Sequence, residues 1–83
     1  MKTYREFKRE NNVEKFNFRQ SKRTGRWVAD CDFPLVVSGK FKGNGKELAE
    51  FLAGDVYVTP QTSKDGDAIL VICHQGWGDS AEG

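Results

Sequence analysis

Gly43-Asn44-Gly45-Lys46-Glu47-Leu48-Ala49-Glu50-Phe51-Leu52-Ala53-Gly54 is the stretch on which the reading of this chain turns. Asn44 has a side chain able to accept the amide of the third helical residue, and Glu47 stands where its carboxylate reaches back, so a capped helix is predicted to start here. Leu48, Phe51 and Leu52 then fall on one face, and Gly54 is expected to close the helix in a left-handed conformation. A helix with a single apolar stripe must bury it against another layer. The segments on both sides repeat with period two, which makes that layer a sheet.

Upstream, Phe16 and Phe18 alternate with Lys15, Asn17 and Arg19, and a turn is expected at Ser21 to Gly25. Trp27, Ala29, Cys31 and Phe33 then alternate with Arg26, Val28, Asp30 and Asp32 as the second arm of a hairpin. Pro34 interrupts, and a third strand is predicted from Leu35 to Phe41, with Leu35, Val37 and Phe41 inward and Lys40 outward. Downstream, Asp55 to Thr59 reads as a fourth strand. The continuous apolar run Ala68 to Cys73 reads as a fifth, joined to it by Pro60 to Asp67 with a turn at Asp65-Gly66. At the start of the chain, Thr3 and Glu6 form a second capping box, predicting a short helix to about Glu10 that Asn11-Asn12 ends; Tyr4 and Phe7 share its face. The expected fold is α+β: a two-layer domain with a short N-terminal helix followed by β-β-β-α-β-β and a mainly antiparallel sheet. One domain is expected over residues 1–83, with 76–83 a small, acidic and mobile tail.

Eighty-three residues bury roughly 60 to 65% of the surface their unfolded chain exposes, which suffices for one core. The 37% hydrophobic and 30% charged content is that of a globular protein. No apolar run approaches the ~20 residues that span a bilayer, and MKTYREFKRE lacks the apolar segment of a secretory signal, so a cytoplasmic location and no membrane partner are expected. Cys31 and Cys73 could bridge only if their strands were neighbours. Both sit in apolar runs where a thiol behaves as a small hydrophobe, and free thiols are the favoured reading.

The charge is divided along the chain. Residues 1–46 carry twelve of the thirteen Lys and Arg against five Asp and Glu; residues 47–83 carry one Lys against seven acids, so +7 and −6 hide behind a net +1. Such polarity can steer a charged partner. Arg19, Lys22, Arg23, Arg26, Lys40, Lys42 and Lys46 are the candidate contacts to a polyanion or partner, suited to phosphate by counterion release. Trp77 is a candidate aromatic anchor, set against the commoner role of covering a sheet edge. The stretch from Gly39 to Lys46 precedes a helix and could grip a phosphate or simply cap and solvate a turn. It is not a P-loop, because its spacing is one residue too long and Glu47 replaces the magnesium-binding hydroxyl.

Catalysis finds little support. Cys73 and His74 are adjacent and in a strand point to opposite faces, and Asp30 and Asp32, spaced like a carboxylate pair, read as cross-strand partners of Lys or Arg. Cys31, Cys73 and His74 supply at most three zinc ligands without paired spacing, and Asp65-Gly66-Asp67 lacks the glutamate of a calcium loop. No cofactor, no metal and no enzymatic activity are expected.

Two resemblances add to this. The succession helix, three strands, lysine-rich turn, helix resembles the element order of double-stranded RNA-binding domains, whose second helix offers lysines to phosphates. This chain departs from that family's helix with GKELAEFLAG and adds two strands, so no binding residue is carried over. MKTYREF resembles the opening of many small proteins of tailed phages, a class rich in inhibitors of host proteins. The expectation is a non-catalytic binding domain for RNA or single-stranded DNA; the alternative is an adaptor or inhibitor docking an acidic patch of a partner protein.

Overall fold

A computed structural model describes residues 2–74; the tail expected to be mobile, and Trp77 within it, lie outside the described residues. The elements are β1 (Lys2–Thr3), α1 (Tyr4–Glu10), β2 (Phe18–Gln20), β3 (Trp27–Ala29), β4 (Leu35–Val37), α2 (Gly45–Ala53), β5 (Val56–Thr62) and β6 (Ala68–His74). They build an α+β domain with one six-stranded sheet in the order β1-β5-β6-β4-β3-β2. Every neighbouring pair is antiparallel except β4 and β6, which run parallel with Leu35 opposite Leu70 and Val37 opposite Ile72. The chain leaves β4, crosses through α2 and enters the sheet one place further out as β5. The β5–β6 hairpin then fills the gap.

Both helix starts follow the local code. Thr3 Oγ1 accepts the Glu6 amide at 3.0 Å and Asn44 Oδ1 accepts the Glu47 amide at 2.9 Å, while each glutamate carboxylate accepts the cap residue's own amide. Asn11 caps the end of α1, its Nδ2 donating to the Phe7 carbonyl at 2.8 Å, and Asn12 turns the chain away at a φ of 54°. Lys2 Nζ meets Glu10 Oε1 at 2.7 Å across α1, an exposed pair of little energetic weight.

Side chains alternate across the sheet, so the registers sort them into two faces. Leu35, Val37 and Ile72 at 0% exposure, with Ala29, Val56 and Val58, meet Tyr4 and Phe7 of α1 and Leu48 and Phe51 of α2 in the main core. Phe33 stands edge-on to Phe7 and Phe16, with ring centres 5.6 and 5.8 Å away. On the opposite face Val71 and Cys73 are buried, with Val36 and Ile69 half-buried beside them and no helix residue in their cluster. Cys31 packs with the first core and Cys73 with the second, and no disulfide joins them.

Several expected boundaries move. A short strand, β1, precedes α1 because Lys2 and Thr3 pair with Val58 and Tyr57. The hairpin arms and the third strand shrink to three residues each, since 13–17 and 30–33 leave the ladder and β4 ends at Val37. Asp30 and Asp32 therefore lie in bends, and the regular spacing that made them a pair does not hold. Gly54 caps α2 in an extended conformation (φ −91°, ψ −161°), not the left-handed one. β5 runs on through Pro60 to Thr62, because beyond its β1 partners it has a neighbour on one side only, where a residue without an N–H is tolerated.

Burial pushes the Tyr4 hydroxyl up to about 12, against a smaller downward pull from its hydrogen bond with the Phe16 backbone. The unfolded chain then loses this proton first, so the contribution is complete below pH 10 and lost as pH rises towards 12. Urea titrations should show ~2 to 3 kcal/mol of stability disappearing over that window, and Tyr4→Phe should flatten the loss. Leu35→Ala should cost about 2 to 5 kcal/mol, read as a shift in urea midpoint.

Candidate polyanion-binding cleft

Three loops carry the basic residues, and their local chemistry fixes each one. The β2–β3 tip closes through Gly25, whose amide donates to the Ser21 carbonyl at 2.8 Å and whose φ of 76° favours glycine. Thr24 Oγ1 accepts the Arg26 amide at 3.2 Å. The loop after β4 is organised by buried Ser38: its amide donates to the Ile72 carbonyl at 2.9 Å, its Oγ accepts the Lys40 amide at 3.2 Å, and its carbonyl accepts the Phe41 amide at 3.0 Å. The β5–β6 turn is held by Ser63, whose Oγ accepts the Asp67 amide at 3.2 Å, with Gly66 at a φ of 87°.

A hydrogen bond ties the first loop to the second. Trp27 Nε1 donates to the Gly43 carbonyl at 3.2 Å, and the indole lies over the start of α2, where a Cβ on Gly45 would stand 3.8 Å from its Cη2. Arg26 precedes Trp27 in the chain and Lys42 precedes Gly43, so this bond holds two cation-bearing residues in fixed relation. Gly43 has no room for a side chain: a Cβ would sit 2.7 Å from Phe41 Cζ and 2.9 Å from Glu47 Cβ.

A cavity of about 420 Å³ has all three loops in its wall: Arg23, Thr24, Gly25 and Arg26 from the tip, Gly39, Phe41 and Lys42 from the second loop, and Ser63, Lys64 and Asp65 from the turn. Its contributors are spread along the strands. With Val28 opposite antiparallel Val36, the tip lies toward the Val37 end of β4; with Leu35 opposite parallel Leu70, the turn lies beyond the other end. The loops thus leave the sheet at different strand ends and converge on one cavity, to which the tip and the second loop bring Arg23, Arg26 and Lys42 and the turn brings Lys64 and Asp65. Ser63 and Thr24 each accept a backbone amide, which leaves their O–H groups oriented to donate elsewhere.

The seven expected contacts are thus divided. Arg23, Arg26 and Lys42 line this cleft. Lys40 lines a neighbouring cavity of about 480 Å³ that it shares with Lys42, Glu47, Glu50 and His74, a mixed-charge setting. Arg19 and Lys22 line a separate depression with Gln20, Ser21 and Val28. Lys46 is exposed at the start of α2 and lines none of these cavities, and Trp77 lies outside the described residues. Asp30 and Asp32 follow β3 at the end away from the tip. Thr24, Ser63, Lys64 and Asp65 were not singled out as contacts by the sequence reading; the one available signal was Lys64, the sole basic residue of the acidic half.

His74 stacks edge-on against Phe51, with ring centres 4.7 Å apart, on the face opposite the Cys73 cluster. Among the described residues no three His, Cys, Asp or Glu side chains are grouped as a metal site would require, and no helix is long and apolar enough to cross a membrane. Comparison with protein families, characterised proteins and solved structures finds no match to this chain.

Gly43→Ala should force Phe41 or the capping glutamate to move, costing about 1 to 3 kcal/mol and shifting the Lys42 amide resonance in a two-dimensional NMR spectrum. Trp27→Phe keeps the ring but removes the donor to Gly43, and should cost about 0.5 to 1.5 kcal/mol in the same urea assay.

Proposed function

We propose that this protein is a non-catalytic cytoplasmic binding domain that receives the phosphate backbone of single-stranded nucleic acid, RNA or DNA, in the cleft between the β2–β3 tip and the β5–β6 turn. The observation that carries this reading is the placement of Arg23, Arg26, Lys42 and Lys64, from three loops, in the wall of one cavity. Arg23 and Lys42 are exposed, so each acts in solvent and is screened over ~8 Å at physiological salt. Affinity in such a site comes from several cations displacing counterions together, not from one strong pair. A cavity lined by cations from three loops suits a flexible single strand, and Phe41 adds an apolar surface for a base.

Titration with a mixed-sequence oligonucleotide over a salt series tests the reading. The logarithm of affinity should fall linearly with that of salt, and Arg23→Ala or Lys42→Ala should each flatten the slope by about 0.7 for a single strand. Lys46→Ala, outside the cleft, should leave it unchanged. An absence of oligonucleotide binding at low salt would remove the reading and favour docking to an acidic protein surface.

A further inference from the structure

The two helices pack on one face of the sheet. On the other face the registers set Arg19, Val28, Val36, Val71 and Thr59 side by side in one row across β2, β3, β4, β6 and β5. Val71 is buried, as is Cys73 further along β6, while Val28, Val36 and Ile69 are half-buried, and no helix residue joins the cluster. A sheet face left to water carries polar side chains at its outward positions, so valines in the middle of this row call for a cover. The charges at the rim decide what that cover is. Arg19 is exposed at the β2 end of the row. Asp30, also exposed, lies two residues beyond Val28, and its amide still donates to the Asn17 carbonyl at 2.7 Å, which keeps it on the side of Val28 and Arg19. Asp30 would repel an acidic partner and Arg19 a basic one. A second copy of this chain answers both, because across a two-fold axis residue i meets j while j meets i. A net charge of +1 on each copy adds little repulsion.

Independently of the nucleic-acid reading, we infer that this face is the interface of a two-fold homodimer, in which the two sheets pack face to face with their strands aligned. The charges fix the axis. β2, β4 and β6 run in one direction, so Asp30 and Ile69 both lie one step, about 7 Å, to the same side of the Val71 row. An axis across the strands through Val71 would set Arg19 against Arg19 of the other copy. Moved halfway toward Ile69, the axis seats Val71 on Ile69 of the other copy and brings the other copy's Asp30 above Val28, next to Arg19. Arg19 and Val28 line a depression of about 520 Å³ with Gln20, Ser21 and Lys22, and that is where the carboxylate arrives. Symmetry gives each dimer two such contacts, one at each end of a shared apolar centre. The size also fits: one full face of a globule measuring 29 × 27 × 25 Å approaches the ~800 Å² that each side of a standard interface buries.

Sedimentation equilibrium of the full chain from about 1 to 500 µM tests this, since interfaces of this size reach micromolar affinity or better. The mass should rise from the 9.4 kDa of one chain toward twice that value. Arg19→Glu and Asp30→Arg each turn both contacts into like-charge pairs, and each alone should weaken association about tenfold or more. Mixed in equal amounts, the two variants should associate again, because Glu at position 19 of one then meets Arg at position 30 of the other while the native Asp30 and Arg19 meet at the second contact. Both residues are exposed, and an unchanged far-ultraviolet circular dichroism spectrum confirms that each variant folds. A single-chain mass at every concentration would overturn the proposal and leave the face to a different protein or to the part of this chain beyond residue 74. A dimer that neither substitution weakens, or a mixture that does not recover, would overturn this interface as the one that forms.

Discussion

The parallel pairing of β4 with β6 is the constraint on which the molecule depends. It buries Leu35, Val37 and Ile72 completely and places them between the two helices and the sheet. It also decides where the loops fall. The crossover through α2 leaves one position vacant in the sheet, and the hairpin that fills it brings the acidic half of the chain against the basic half.

Within that frame a few neutral contacts fix the backbone of the cleft. Trp27 to Gly43 and the three bonds of Ser38 hold the second loop against the sheet and the hairpin arm. Each is worth on the order of 1 kcal/mol net, comparable to an exposed salt bridge at best, but they act on backbone and so fix where the cations emerge. The long side chains of Arg23 and Lys42 supply charge; the backbone beneath them supplies direction.

Much of the fold was legible because it is written locally. The two capping boxes depend on residues three apart, and Thr3 with Glu6 and Asn44 with Glu47 form as their spacing implies. The alternation from Phe16 to Val37 correctly sorted the inward residues, since Phe16, Phe18, Trp27, Ala29, Leu35 and Val37 all join the main core. Strand lengths were less legible. A period of two outlasts the regular ladder, so 13–17 and 30–33 keep the inward and outward alternation outside β2 and β3, with Asp30 in a bend and its amide still donating to the Asn17 carbonyl at 2.7 Å. Gly54 shows the same limit, because a glycine permits the left-handed cap without requiring it.

The candidate site divides along the same line. Composition and order alone determined that the chain is an α+β domain with a cation-rich first half, and that Arg23 lies at a hairpin tip and Lys42 ahead of a helix; Arg26, expected in the strand, lies just before β3. Only tertiary structure decided that these three share a cleft with Lys64 and Asp65, that Arg19 and Lys22 open elsewhere, and that Lys46 stands apart. The physical reason is range. Caps and side-chain alternation arise from contacts between residues a few places apart, whereas the company a surface charge keeps is set by strand order and register, which link positions some forty residues distant and leave no periodic trace in the chain.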